Sequence, residues 1–104
     1  MTSITTHYQH DTLFMENVSL AEVAKEYGTP CYVYSKKSLL DNWHDFNRAF
    51  AKHPHRICYA VKANSSLAIL NLLAHQHSGF DIVSGGELER VLAAGGNPGN
   101  IVFS

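Results

Sequence analysis

The chain has 104 residues, the length of one small domain. Eight basic and nine acidic side chains give a net charge of −1 with histidine neutral, which excludes a protein that binds nucleic acid or anionic membranes mainly through positive charge. A hydrophobic content of 45% with 16% charged residues excludes a fully disordered chain, and no apolar stretch approaches the roughly 18 residues of a membrane span.

The first part of the chain is polar and then becomes structured. Residues 1–12 show no hydrophobic period, so we expect a flexible arm. They lack the basic and apolar regions of a secretion signal, which predicts a cytoplasmic protein.

Residues 13–34 form a predicted N-terminal segment with one short helix and one strand. Ser19 and Glu22 have the spacing of a capping box, so a helix should follow and end at Gly28. Pro30 then excludes helix, and the aromatic and β-branched content of residues 31–34 predicts a strand.

From residue 35 the pattern alternates between helices and strands. The first helix carries four apolar residues on one face, which we expect to pack in the core: Leu39, Trp43, Phe46 and Phe50. Three strands follow, starting near residues 57, 80 and 101. Strands separated by single helices run parallel through right-handed crossovers. The fold class is therefore α/β, and both a doubly wound sheet and part of a (β/α)₈ barrel fit this order.

Lys62 is the most informative single residue. In a strand over residues 56–62, side chains alternate, so Ala60 and Lys62 share one face and Tyr59 and Val61 share the other. In a barrel, the small face looks inward and places Lys62 at the C-terminal mouth, where barrel enzymes have their active sites. A partly desolvated lysine there can form a Schiff base with an aldehyde. The alternative is a solvated lysine that ends a strand.

Two further candidates belong to the next predicted strand, residues 80–83, and to the turn after it. If Asp81 faces inward, its carboxylate lies near Lys62 and can orient the lysine or help keep it charged. The alternative is a structural partner for a neighbouring backbone group. Ser84 follows the same strand and is a candidate to line the pocket, while Gly85 and Gly86 are interpreted as turn residues.

No metal site is expected. The histidine pairs 53/55 and 75/77 do not converge on one ion with a third ligand, and the two cysteines lie 27 residues apart without a CxxC motif.

Three motifs occur in an order and spacing that carry a family resemblance. Residues 59–64 read YAVKAN, residues 28–35 read GTPCYVYS, and residues 80–87 read FDIVSGGE. Together they resemble the diaminopimelate decarboxylase family of fold-type III pyridoxal-phosphate enzymes, over about residues 13–104.

The resemblance implies a fold, a cofactor and a reaction. Residues 35–104 would be the incomplete, N-terminal portion of a (β/α)₈ barrel that binds pyridoxal 5′-phosphate. Lys62 would hold the cofactor as a Schiff base, with Ala60, Asp81 and Ser84 beside it. The substrate would be the small molecule meso-diaminopimelate, converted to L-lysine and CO₂, and the full-length enzyme would be a homodimer.

Other functions stay open at this point. Alanine racemase has a similar lysine motif, but there Ala-Tyr-Gly follows the asparagine, whereas Ser-Ser-Leu follows Asn64 here. Ornithine, arginine and carboxynorspermidine decarboxylases also fit. Because the chain is expected to be the front of a longer protein and inactive alone, a truncated, noncatalytic binding module is the alternative from another class.

Overall fold

A computed structural model describes residues 4–104 of the chain. The chain forms two compact units, one up to Asp45 and the other from Phe46 to Ser104. The second unit contains all the candidate site residues named above. Within residues 4–104, no helix is both long enough and apolar enough to cross a membrane.

The first unit begins with a small antiparallel sheet. Strand β1 (Thr6–Gln9) pairs with β2 (Thr12–Met15), which pairs with β3 (Val18–Ser19). His10 and Asp11 connect β1 to β2 with φ angles of 51° and 63°. Two successive positive φ angles are typical of the tight turn that joins hairpin strands.

This hairpin corrects the expectation of an arm without regular structure over residues 1–12. Thr6–Gln9 is a strand, while residues 1–3 lie outside the described part of the chain. All four residues of β1 are exposed. The strand is therefore held by backbone pairing and by its turn, and it buries no alternate side chains that a sequence pattern could show.

The predicted short helix is confirmed as α1 (Leu20–Tyr27). The Ser19 hydroxyl accepts a hydrogen bond from the backbone N–H of Glu22 at 3.4 Å. Gly28 ends the helix with a φ of 83°, a conformation that favours glycine.

The strand predicted over residues 31–34 is wrong. The rings of Tyr32 and Tyr34 stack at 6.4 Å, as neighbours two apart do on extended backbone. No strand in the described part of the chain pairs with them, however, and a strand requires a hydrogen-bonded neighbour. The strands of the segment 13–34 instead precede its helix.

Helix α2 (Lys36–Ala49) begins directly after Ser35. The Ser35 hydroxyl accepts the N–H of Ser38 at 3.0 Å and donates to Glu16 at 2.8 Å. Glu16 also accepts the N–H of Lys37 at 3.2 Å. These hydrogen bonds, first that from Ser35, lower the pKa of Glu16 below its ordinary value. The carboxylate thereby anchors the start of α2.

The aromatic face of α2 is not the core that the sequence predicts. Phe46 is 62% exposed and Phe50 45% exposed. Their rings stack on each other at 6.4 Å, and Phe50 also contacts His55 at 5.8 Å. Within residues 46–104, the core forms elsewhere, around the parallel sheet.

That sheet confirms the α/β prediction. Strands β4 (Cys58–Ala60), β5 (Gly79–Ile82) and β6 (Ile101–Phe103) are parallel and adjacent in chain order. Helix α3 (Leu67–His75) connects β4 to β5, and α4 (Gly85–Ala93) connects β5 to β6. Short 3₁₀ turns follow β4 and precede β6, at Val61–Ala63 and Pro98–Asn100. This is the order expected of the N-terminal portion of a (β/α)₈ barrel.

One face of the sheet is covered and the other is open. The largest fully buried side chains are Phe80, Leu70, Val61 and Val91. Phe80 and Ile82 share a face of β5 and are both buried, whereas Val102 on the opposite face is 44% exposed. The helices therefore cover the Phe80 face of β5, whereas Phe103, on the same face of β6, is 70% exposed.

Candidate functional site

The candidate site lies at the carboxyl edge of the parallel sheet. Lys62 follows β4, Ser84 follows β5 and Ser104 follows β6. Because parallel strands end at the same edge, these three residues belong to one rim, which is where α/β folds bind ligands.

Lys62 lies on this rim, but not in the strand that the sequence predicts. Strand β4 ends at Ala60, and Lys62 is the middle residue of a 3₁₀ turn closed by the N–H of Asn64 on the carbonyl of Val61 at 3.1 Å. The expectation that strand alternation sets the direction of Lys62 is therefore wrong, because the turn sets it. The side chain is exposed and makes no hydrogen bond or ion pair to any described residue.

Ala60 and Asp81 are neighbours across the parallel sheet. They are directly opposite each other in the register of β4 and β5, so their side chains leave the same face of the sheet. Asp81 is half-buried and accepts a hydrogen bond from the Ser104 hydroxyl at 2.7 Å. A small side chain and an oriented carboxylate thus lie side by side on the open face, next to the turn that carries Lys62.

The opposite face of β4 also agrees with the prediction. Tyr59 pairs with Phe80, whose side chain is fully buried under the helices, and Val61 is fully buried too. Ala60 therefore faces away from the helices, as expected of a residue on a barrel's inner face.

Ser84 has a clear structural role on the rim. It precedes α4, and its hydroxyl accepts the N–H of Glu87 at 3.1 Å, while a Glu87 carboxylate oxygen accepts the N–H of Val83 at 3.0 Å. This is a reciprocal cap of the helix. A second role for Ser84 in lining a pocket stays a prediction.

Several site contacts were not anticipated from the sequence. Tyr59 and Arg90 each donate a hydrogen bond to the loop that follows Lys62. Ser104 could have been placed near Asp81 from strand register, because it lies two residues after Val102, the partner of Asp81 in β6. The hydrogen bonds of Tyr59 and Arg90 could not be predicted in this way, because their acceptors are backbone carbonyls, which every residue has.

The described residues contain no cluster of three or more histidine, cysteine, aspartate or glutamate side chains that could hold a metal ion. Two of the histidines are instead bound to nearby groups. The His55 ring hydrogen-bonds with Asn47 at 2.9 Å, and the His75 ring with the carbonyl of Asn71 at 2.8 Å.

The rim can carry amine chemistry. The Lys62 amine, which no described residue engages, is available to attack an aldehyde once it is neutral. The face of β4 beside the turn carries the small side chain of Ala60, which leaves room for a planar ring. These residues fit pyridoxal 5′-phosphate, which Lys62 would hold.

Comparison with known proteins supports this fit. Residues 36–104 match the family described as "Pyridoxal-dependent decarboxylase, pyridoxal binding domain". The chain is 60% identical to diaminopimelate decarboxylase of Vibrio cholerae over 99 residues. This aligned region covers 94% of this chain and 24% of that protein. The chain therefore spans about a quarter of the length of such relatives.

Solved structures give the same result. The crystal structure of diaminopimelate decarboxylase from M. jannaschii superposes with a TM-score of 0.92 at 33% identity, covering 96% of this chain and 24% of that one. The Helicobacter pylori diaminopimelate decarboxylase, solved in complex with L-lysine, superposes with a TM-score of 0.77 at 44% identity, covering 81% of this chain and 21% of that one.

Proposed function

The chain belongs to the pyridoxal-dependent decarboxylase family, and from this premise we propose that it is the lysine-bearing, N-terminal part of a diaminopimelate decarboxylase. One observation carries the proposal: an exposed, unengaged Lys62 on the rim of a parallel sheet, next to Ala60 and Asp81. The substrate is meso-2,6-diaminopimelate and the products are L-lysine and CO₂. The 60% identity to a diaminopimelate decarboxylase supports this substrate over other amino acids.

Each rim residue has a distinct role in this proposal. The Lys62 amine would hold the cofactor through the cofactor's aldehyde carbon. Asp81 helps to orient the lysine, and Ser104 fixes that carboxylate. Ala60 leaves space beside the ring, and Ser84 lines the rim while it caps α4.

The reaction replaces a carboxyl group by a proton. The bond between the α-carbon and its carboxylate breaks, CO₂ leaves, and a proton is added to the same carbon with the electron pair left behind. When bound, pyridoxal phosphate supplies the electron sink for that pair. The protein's contribution is to orient the breaking bond and to keep water from the site.

We further propose that the complete enzyme is a cytoplasmic homodimer that acts on a small-molecule amino acid. The family resemblance supports both statements. Size-exclusion chromatography with light scattering on the complete enzyme tests the dimer, and a monomer at micromolar concentration would contradict it.

A chimera tests the proposed reaction. This chain replaces the matching segment of the Vibrio cholerae protein, and CO₂ and L-lysine are measured from meso-diaminopimelate, ornithine and arginine. We expect activity with diaminopimelate, loss of most activity in Lys62→Ala, and unchanged activity in Lys52→Ala, a matched change of an exposed lysine.

Three results would contradict the proposal. Equal activity in Lys62→Ala would reject the site. Release of CO₂ only from ornithine or arginine would assign one of the alternative decarboxylases. A folded chimera without activity on any of these amino acids would favour the noncatalytic module.

A further inference from the structure

A hydrogen bond bridges the turn that carries Lys62. The hydroxyl of Tyr59, in β4, donates to the backbone carbonyl of Asn64 at 2.9 Å. The donor precedes Lys62 by three residues and the acceptor follows it by two, so the bond closes a loop around the lysine.

The same loop is held at further points. The Asn64 side-chain oxygen accepts the N–H of Ser66 at 3.0 Å, which fixes the start of α3. From α4, an Arg90 guanidinium nitrogen donates to the carbonyl of Ser65 at 3.3 Å. Two side chains, one from the strand and one from a helix, thus bind successive carbonyls just after Lys62.

The position of Lys62 depends on these bonds because the strand does not reach it. Val61 is fully buried and anchors one side of the turn. On the other side, the backbone can change direction after Ala63 unless Asn64 and Ser65 are fixed. The direction in which the Lys62 side chain leaves the backbone is therefore set by the turn and by what holds it.

We propose that Tyr59 is a positioning residue for the amino group of Lys62, with Arg90 as a second support of the same loop. Tyr59 acts through the backbone and does not touch the amine. The effect of Tyr59 on catalysis rests on the proposed function, whereas its effect on the structure of the loop around Lys62 does not.

Hydrogen exchange in the 104-residue chain tests the structural part. Tyr59→Phe keeps the ring and removes only the hydroxyl. We expect exchange of the Asn64 and Ser66 amides to rise about threefold to tenfold, the range that the loss of one hydrogen bond gives, with the amides of β5 unchanged. Tyr27→Phe removes the hydroxyl of an exposed tyrosine in α1. This control should change the exchange rates of neither the Asn64 and Ser66 amides nor the β5 amides.

Fluorescence anisotropy tests the positioning itself. In a chain whose other lysines, at positions 25, 36, 37 and 52, are replaced by arginine, pyridoxal phosphate is joined to Lys62 and reduced with borohydride to a fluorescent group. We expect restricted motion in the parent and in Arg90→Lys, and faster local motion in Tyr59→Phe and Arg90→Met, at temperatures where circular dichroism shows all four folded. A uniformly destabilised but folded chain would not show this local change.

Unchanged exchange and anisotropy in Tyr59→Phe would overturn the inference. In the active chimera we expect the same variant to lower kcat about threefold to tenfold with little change in KM, because the binding residues are intact. An inactive parent chimera would count against the proposed function alone, since exchange and anisotropy decide the role of Tyr59 without it.

Discussion

The Ser104 hydroxyl donates a 2.7 Å hydrogen bond to the Oδ1 atom of Asp81 and so joins the ends of two neighbouring parallel strands. Ala60 lies opposite Asp81 on the other side. The carboxylate is thereby oriented by its neighbours on the rim rather than left to rotate in solvent.

Removing this hydrogen bond should weaken the function of the rim. In the chimera, Ser104→Ala is expected to lower decarboxylation about threefold to tenfold, because the donor to an ionised group is lost. Ser104→Thr keeps the hydroxyl and should retain most activity. Ser66→Ala removes a hydroxyl that does not cap α3 and serves as the control. Equal rates in Ser104→Ala and the parent would show that Asp81 needs no such support.

Gly79 is required by close packing at the start of β5. A β-carbon there would lie 2.8 Å from the Cys58 sulfur and 2.8 Å from the carbonyl oxygen of Asn100. Gly79→Ala should therefore lower the free energy of unfolding by about 1–3 kcal/mol in urea titrations. Gly85→Ala, where a β-carbon meets nothing within 4 Å, should not destabilise the chain. Equal stability of the two variants would contradict the packing account.

The anchor of α2 should make stability depend on acid pH. Folding lowers the pKa of Glu16 below its ordinary value of 4.5. The contribution of its carboxylate to the free energy of unfolding is therefore fully present above that value, and it is lost as the pH falls through the folded pKa. We expect Glu16→Gln to lower the urea midpoint near neutral pH and to show a smaller loss on acidification than the parent. Glu26→Gln, an exposed change in α1, is the matched control. If the urea midpoint depended on pH in the same way in the parent and in Glu16→Gln, Glu16 would not anchor α2.

The sequence predicted the elements whose signals are local. The cap at Ser19 and the glycine at Gly28 bound α1, and the alternation of strands and helices after residue 35 gave the parallel sheet. Strand alternation predicted that Ala60 faces inward, but the register that pairs it with Asp81 is seen only in the structure.

The errors have physical causes that local patterns do not contain. Residues 31–34 have strand composition, but a strand also needs a paired neighbour. The β1–β2 hairpin depends on positive φ angles at His10 and Asp11, residues that are not glycine. At Lys62 the chain leaves the strand two residues earlier than its composition suggests, because Val61 turns into the core.

A polypeptide of these 104 residues alone should not decarboxylate meso-diaminopimelate measurably. It spans about a quarter of its relatives, and one face of its three-stranded sheet is open, so water reaches the rim. Most of the rate in such enzymes comes from an enclosed, preorganised site. Release of labelled CO₂ by the purified chain, at a rate abolished by Lys62→Ala, would contradict this prediction and indicate that copies assemble into a complete site.

The proposed function depends above all on Lys62 holding the cofactor. The most direct measurement adds pyridoxal phosphate to the active chimera, reduces it with borohydride, and maps the modified lysine by mass spectrometry. We expect modification at Lys62, lost in Lys62→Ala together with activity. Modification of this chain only at the other lysines, at positions 25, 36, 37 and 52, would contradict it.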